Sequence, residues 1–456
     1  MKNMTLANIT KACNGRYYGN DEDLNKTITG VEKDSRLIEK GFLYLPFVGN
    51  VVDGHDFIPQ IFEKGALCTL SEKELENPAG PYILVESVAD ALKSIAEYYR
   101  EQLDTTIIGI TGSVGKTSTK EIIASVLEEK YSVLKTDGNY NNEIGMPLTI
   151  LRIRSEHQVA VVEMGISDFG EMHRLSKVAK PDICVITNIG TCHLENLGDR
   201  DGVLKAKSEI FDYIRENGKI ILNGDDDKLS GIADVKGIKP VFFGIDTDRK
   251  AKALKIEGIG LEGTKVEISY EDSVFETVIP IPGFHMVLNA LAATCIGREL
   301  GLSFEEIDRG IRNLKAVGGR NNIIKNNGMI IIDDCYNANP MSMKASINVL
   351  KEAIGRKVAI LGDMFELGAN EIELHREVGA YAAFNEIDVI ICVGKLSKNM
   401  AEAAEKENKG NVNVLYFETK EALENELSVI LKKGDNILIK ASNGMKFKTL
   451  VEKLSS

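Results

Sequence analysis

The chain has 456 residues, too many for one ordinary hydrophobic core, so two to four domains are expected. With 43% hydrophobic and 27% charged residues it reads as a globular protein, and a net charge of −13 excludes a general nucleic-acid or membrane-surface binder, which would carry a basic field. There is no apolar run of about 18 residues for membrane insertion and no apolar core in Met1–Thr5, and the seven cysteines form no Cys-x-x-Cys pair; a cytoplasmic protein with reduced thiols and no zinc site is the expectation.

Residues 1–103 mix short apolar runs with a helical period. Phe42–Leu45, Ala66–Leu70 and Tyr82–Val85 read as strands and Ala89–Tyr99 as a helix, giving a small α/β domain. Next comes Thr106–Ile110, a buried strand, followed by Thr111-Gly112-Ser113-Val114-Gly115-Lys116-Thr117-Ser118 and a helix running to Lys130. A glycine-rich turn between strand and helix lets backbone N–H groups approach phosphate oxygens. Lys116 would reach the β/γ-phosphates and Thr117 would ligate Mg²⁺. The usual first glycine of such a loop is displaced: Ile110 stands there and the glycine falls at Gly112. The base-reading Asn-Lys-x-Asp motif of GTPases is missing, since Asn408-Lys409 runs into Gly410-Asn411. The expectation is an ATP user outside the GTPases.

Val159–Val162, Ile183–Thr187 and Lys219–Leu222 continue as strands with helices between them, the pattern of a parallel sheet covered on both faces. Leu254–Ile259, Lys265–Tyr270 and Phe275–Ile281 alternate with turn residues, which predicts a small antiparallel insert. A helix from about His285 ends at Gly301 and closes a central phosphate-loop domain spanning 104–314. Residues 315–456 repeat the alternation. Strands at Val358–Leu361, Val389–Val393 and Ile437–Ile439 and helices at Ile372–Asn385, Ser397–Asn408 and Lys420–Lys432 predict a Rossmann-like α/β domain without a phosphate loop.

Polar residues at strand ends are the candidates for chemistry, because ligands of open parallel sheets sit at that edge. Glu163 ends one strand and would hold Mg²⁺ opposite the loop. His193 follows another, where a lone histidine is more often structural. Lys207, in the helical run Val203–Phe211, reads by itself as a solvated lysine, and Asp225–Asp227 as a solvated turn. Asp333-Asp334-Cys335-Tyr336-Asn337-Ala338-Asn339-Pro340 forms a rigid polar cluster or an Asx-rich turn, with Cys335 a small filler. Arg320 lies just upstream, and Gly362–Gly368 is a further polar strand-end loop.

Together these motifs resemble, in order and over essentially the whole chain, the Mur ligase family of ATP-dependent amide-forming enzymes. The resemblance implies that Gly112, Ser113, Val114, Gly115, Lys116, Thr117 and Ser118 bind ATP. It places Asn141 and Asn142 on the substrate side of the phosphates, and it makes Glu163 and His193 holders of two Mg²⁺ ions. Lys207 matches a lysine that is commonly carbamylated in the family, which reverses the reading of that residue taken alone. Asn289 would contact adenine, and Arg320 and Asp334 would be brought onto the nucleotide by the C-terminal domain. Asp34-Ser35-Arg36 and Asp53–Phe57 resemble a UDP-binding domain, with Ser35 and Arg36 contacting the uridine diphosphate. Tyr336, Asn337 and Asn339, with Gly362–Gly368, resemble the member that adds D-Ala-D-Ala to UDP-MurNAc-tripeptide more than the one that adds the third residue, which carries an Asp-Asn-Pro-Arg motif when it uses diaminopimelate; no such string occurs here. A monomer acting on small molecules is implied. Two positions depart from the family pattern: Met286 stands where an Asn is usual and Val48 where a Lys is usual.

Overall fold

The computed structural model describes residues 1–245 and 249–456, and these form three sheets. The first sheet has the strand order Arg16–Tyr18, Tyr82–Leu84, Cys68–Ser71, Phe42–Tyr44, Gly30–Glu32. Its pairings are parallel except at the Arg16–Tyr18 edge.

The helix Val88–Arg100 joins this sheet to the next. Ser87 caps it by accepting from the Asp90 N–H, and Val88, Ala91, Leu92, Ile95, Ala96 and Tyr99 form one buried face. Burying Leu92 and Ile95 stabilises by about 1.5–3 kcal/mol each. The helix ends in a polar anchor. The Tyr99 hydroxyl donates to the Ile153 carbonyl at 2.6 Å. The fully buried Arg100 donates to the carbonyls of Ala179, Lys180, Leu103 and Thr105 and to Asp182 Oδ2 at 2.9 Å. Burial pushes its guanidinium down to about 10, with Asp182 opposing. Arg100→Ala would leave those acceptors without a donor, so a loss of about 3–5 kcal/mol is expected in urea-unfolding midpoints. A loss below about 1 kcal/mol would mean that water replaces the guanidinium.

The central sheet runs Ser273–Ile279, Thr264–Tyr270, Ala251–Gly258, Val241–Gly244, Lys219–Asn223, Ile183–Ile186, Thr106–Thr111, Val159–Glu163, Val133–Lys135. Thr106–Thr111 lies between Ile183–Ile186 and Val159–Glu163, parallel to both and buried on both faces, which is why it reads as a continuous apolar run. The expected antiparallel insert is present as the meander of the strands Ala251–Gly258, Thr264–Tyr270 and Ser273–Ile279. It is not a separate sheet: Ala251 and Lys252 pair with Phe243 and Gly244, so the meander extends the parallel sheet. The phosphate-loop helix Lys116–Leu127 packs against the helix Phe284–Glu299, which is buried nearly all round. The helix predicted over Val203–Phe211 instead spans Arg200–Ser208 and tightens into a 3₁₀ turn at Glu209–Phe211. Lys207 therefore lies in its last turn rather than near the middle.

The third sheet begins with the hairpin Asn322–Asn326/Met329–Asp333, whose turn residues Asn327 and Gly328 both have positive φ. Parallel strands Asn436–Lys440, Lys357–Gly362, Val389–Val393 and Asn413–Phe417 follow in that spatial order. Among the described residues no helix is long and apolar enough to cross a membrane.

Candidate active site

Four strands of the central sheet end in polar residues at one edge. Thr111, Glu163, Thr187 with Asn188, and Asn223 lie where the strands run out, the edge at which open parallel sheets bind ligands.

The phosphate loop is held there by neighbours that the motif alone does not reveal. The Asn188 side chain clamps Val114 from both sides, accepting from its N–H and donating to its carbonyl, each at 2.9 Å. Thr187 Oγ1 also donates to the Val114 carbonyl, at 2.7 Å. This crowding explains the displaced glycine. Gly112 has φ +151°, and a Cβ there would lie 1.9 Å from Thr187 Oγ1. Gly115, at φ +85°, starts the helix with its first N–H groups unpaired by side chains. Lys116 Nζ donates to the Gly112 carbonyl at 2.7 Å, lying back along the loop.

Opposite the loop, Glu163 is 1% exposed. It accepts from Thr117 Oγ1 at 2.9 Å and from Asn141 Nδ2 at 2.8 Å. No cationic side chain pairs with it among the described residues, so a buried carboxylate and a hydroxyl converge without a counter-charge. That donor set fits a hard divalent cation, which prefers oxygen ligands and completes its shell with water and phosphate oxygens. No group of three or more His, Cys, Asp or Glu side chains converges among the described residues, so the remaining ligands would come from those sources.

His193 has a left-handed backbone (φ +53°) and starts the short helix Leu194–Leu197. Its Nδ1 lies 3.0 Å from Glu366 Oε2, in the Gly362–Gly368 loop of the third sheet's domain. Burial lowers its pKa, Lys207 and Lys116 lower it further, and Glu366 opposes them. Lys207 itself is 1% exposed, and its amine makes no hydrogen bond or ion pair among the described residues. Burial pushes its amine down to about 8; Lys116 adds to this and Cys192 opposes it. An unmodified amine does not fit a cation site. A carbamate formed on it would.

The third sheet's domain supplies the other wall. Arg320 lies over the Tyr336 ring with Cζ 4.1 Å from its centroid. Asp334 accepts from the Asn321 N–H at 3.2 Å, from Lys440 Nζ at 2.6 Å and from Ser346 Oγ. Asn339 caps the helix Pro340–Lys351 in a reciprocal box with Ser342. Asn289, 6% exposed, accepts from Thr119 Oγ1 at 2.9 Å, and its Nδ2 lies 3.4 Å from Met286 Sδ, the residue that replaces the usual Asn.

These walls enclose a cavity of about 870 Å³. It is lined by Ser113, Val114, Gly115, Lys116, Thr117, Ser118, Asn141, Asn142, Glu163, His193, Asn289, Arg320, Asp334, Tyr336, Asn337 and Asn339, all singled out in the sequence. Gly112 and Lys207 are not among the residues that line it. Ser35 and Arg36 are elsewhere, on the first domain, where Arg36 forks onto Asp34 and Lys64 Nζ donates to the Ser35 carbonyl at 2.7 Å. Sequence reasoning passed over Asn188, Asn223, Asn321 and Lys440. For the first two, the available signal was an asparagine directly after an apolar parallel strand or at its end.

A phosphate loop at the polar edge of a parallel sheet, a buried carboxylate facing it and a second α/β domain closing the cavity define an ATP-dependent enzyme. Three family models match in succession: "Mur ligase family, catalytic domain" over residues 27–100, "Mur ligase middle domain" over 110–297, and "Mur ligase, glutamate ligase domain" over 319–443. The chain is 39% identical over 455 residues to the UDP-N-acetylmuramoyl-tripeptide–D-alanyl-D-alanine ligase of Bacillus subtilis, covering 99% of this chain and 98% of that one. It superposes on the crystal structure of MurF from Acinetobacter baumannii with a TM-score of 0.89 at 32% identity, covering 99% and 98% of the two chains. The MurF ligase of Thermotoga maritima in complex with ADP gives a TM-score of 0.82 at 30% identity, covering 93% and 97%. The chain belongs to the Mur ligase family.

Proposed function

We propose that this chain joins D-alanyl-D-alanine to UDP-N-acetylmuramoyl-tripeptide at the expense of ATP, giving UDP-MurNAc-pentapeptide, ADP and phosphate for peptidoglycan precursor synthesis. The observation that carries the reading is the cavity in which the loop Ser113–Ser118 faces the buried Glu163 and is closed by Arg320, Tyr336 and Asn337. Full-length relatives bearing that activity in their names support it.

A carboxylate is a poor electrophile, so it must first be activated. Its oxygen attacks the γ-phosphorus while the bond to the ADP oxygen breaks, giving an acyl phosphate. The dipeptide amine then attacks the acyl carbon, the carbon–oxygen bond to phosphate breaks, and the amine gives up a proton. Lys116 and the loop N–H groups would neutralise charge growing on the transferred phosphoryl oxygens. Thr117 and Glu163 would hold one Mg²⁺, which when bound supplies further positive charge there. His193 and a carbamylated Lys207 would hold a second. The low pKa of the Lys207 amine, about 8, supports this modification, because only a neutral amine adds CO₂. Asn141 and Asn142 would bind on the substrate side of the phosphates, Ser35 and Arg36 the uridine diphosphate, Asn289 the adenine, and Asp334, Tyr336, Asn337 and Asn339 the nucleotide and peptide from the C-terminal domain. Closure of that domain over the cavity would keep water from the acyl phosphate. The reading includes three domains at 1–103, 104–314 and 315–456, acting as a monomer in the cytoplasm.

Hydroxylamine tests the activated intermediate. With ATP, Mg²⁺ and UDP-MurNAc-tripeptide but no dipeptide, a hydroxamate of the tripeptide is expected in the mass spectrum, formed only with intact ATP. Dipeptide ligation without any trappable hydroxamate, under conditions where an authentic acyl phosphate is trapped, would argue for direct attack instead.

A further inference from the structure

Six buried side-chain polar atoms lack a hydrogen-bond partner among the described residues, and Asn321 Oδ1 is the one whose residue lines the cavity. Asn321 is 7% exposed and sits in the left-handed region at φ +46°, which asparagine tolerates better than most residues. Its other polar groups are engaged. The backbone N–H donates to Asp334 Oδ1 at 3.2 Å, and Nδ2 lies 3.2 Å from His285 Nε2.

The surrounding acceptors already have donors. Asp334 Oδ2 receives Lys440 and Ser346, and Asn289 Oδ1 receives Thr119. With Asn321 Nδ2 donating to an unprotonated His285 Nε2, the vacant acceptor in this corner is the Asn321 carbonyl. Its position relative to the phosphates follows from the helix Phe284–Glu299. Asn289 Oδ1 would lie 3.7 Å from a Cβ built on Gly115, so Asn289 stands beside the phosphate loop. His285 precedes it by one turn, about 6 Å along the axis, and Asn321 is bonded to His285. With the phosphates on the loop, the nucleoside half of a nucleotide is the part that extends into this corner.

We infer that the Asn321 carboxamide is a specificity-determining contact for ATP, its Oδ1 accepting a hydrogen bond from an N–H or O–H on the nucleoside half. The assignment rests on the ATP-site reading of the cavity. Two parts of ATP offer such a donor, the 6-amino group of the base and the hydroxyls of the ribose. A buried acceptor that gains a donor only from the right ligand penalises an analogue lacking that donor, on the order of tenfold or more.

The test is calorimetric binding of ATP, 2′-deoxy-ATP, 3′-deoxy-ATP and inosine triphosphate to the full chain with Mg²⁺ and no peptide substrate. The native protein is expected to bind at least one analogue about tenfold more weakly than ATP. Loss with inosine triphosphate would assign the base amine, and loss with a deoxy analogue the ribose. Asn321→Gly, which suits the left-handed backbone, is expected to bind ATP about tenfold more weakly and to treat ATP and that analogue alike. Asn321→Asp, which keeps both an acceptor and the backbone preference, should retain the discrimination. Equal binding of all four nucleotides by the native protein, or undiminished discrimination in Asn321→Gly, overturns the assignment. No ATP binding by the native protein would instead overturn the ATP-site reading itself.

Discussion

Lys116→Ala is expected to lower the rate of ligation by on the order of 10³-fold while leaving the fold intact. Two features of the structure set those expectations apart. For stability, Lys116 is half-buried at the first position of its helix, and its one hydrogen bond is to the Gly112 carbonyl. Removing it frees one carbonyl beside the cavity, a loss within about 1 kcal/mol. For turnover, it is the cation built into a loop whose other contacts are backbone N–H groups, in a chain of net charge −13. Negative charge growing on the phosphoryl group has no other cationic side chain within that loop. Steady-state rates and thermal unfolding, measured on the same preparation, separate the two effects. A variant that keeps more than a tenth of the native rate would remove Lys116 from the phosphoryl-transfer step.

Lys207→Ala is expected to abolish ligation as well, but with partial recovery when acetate or another short carboxylate is added. Lys207 is 1% exposed, and its amine, which has no hydrogen-bond or ion-pair partner among the described residues, is pushed down to about 8 by burial. An ammonium there would be desolvated without compensation. The neutral amine is on the order of a hundredfold more abundant at pH 7.5 than for a lysine in water. The sign follows from the folded value lying below the ordinary 10.5: protonation opposes folding, and the neutral form gains as pH rises through about 8. Incorporation of ¹³C-bicarbonate as a carbamate, read by carbon NMR, should therefore increase across that range. Alanine would vacate the volume of the Lys207 side chain, which an added small carboxylate is expected to occupy. Near-native rate without added carboxylate would remove the carbamate from the mechanism. Loss of activity that no carboxylate restores, with no ¹³C carbamate signal in the native protein, would assign Lys207 a purely structural role.

The parts of this fold that were legible in the sequence share a physical cause. Thr106–Thr111, Val159–Glu163 and Val389–Val393 are buried on both faces, so their apolar runs are uninterrupted and their polar ends stand out. The phosphate loop was legible because its glycines and lysine are fixed by local geometry. Short or half-exposed strands were not: Val133–Lys135 has three residues at a sheet edge, and Asn413–Phe417 is only partly buried. The fusion of the meander to the parallel sheet depends on the Phe243–Ala251 pairing, which no local pattern encodes. Within the site, Asn188 and Lys440 act through contacts made across the fold. Asn188 clamps a loop 74 residues away, and Lys440, 3% exposed at the end of an apolar strand, neutralises Asp334 from 106 residues away. Asn339 shows the converse: a residue that stands out in a motif and is also the cap of its helix.

Dipeptide ligation is tested by phosphate release from ATP and Mg²⁺ with UDP-MurNAc-tripeptide, measured with and without D-alanyl-D-alanine and followed by mass spectrometry of the uridine-linked product. The expected result is release that depends on the dipeptide, together with UDP-MurNAc-pentapeptide. No dipeptide-dependent release, but release with UDP-MurNAc-dipeptide and a free diamino acid, would contradict it and assign the chain to the preceding step.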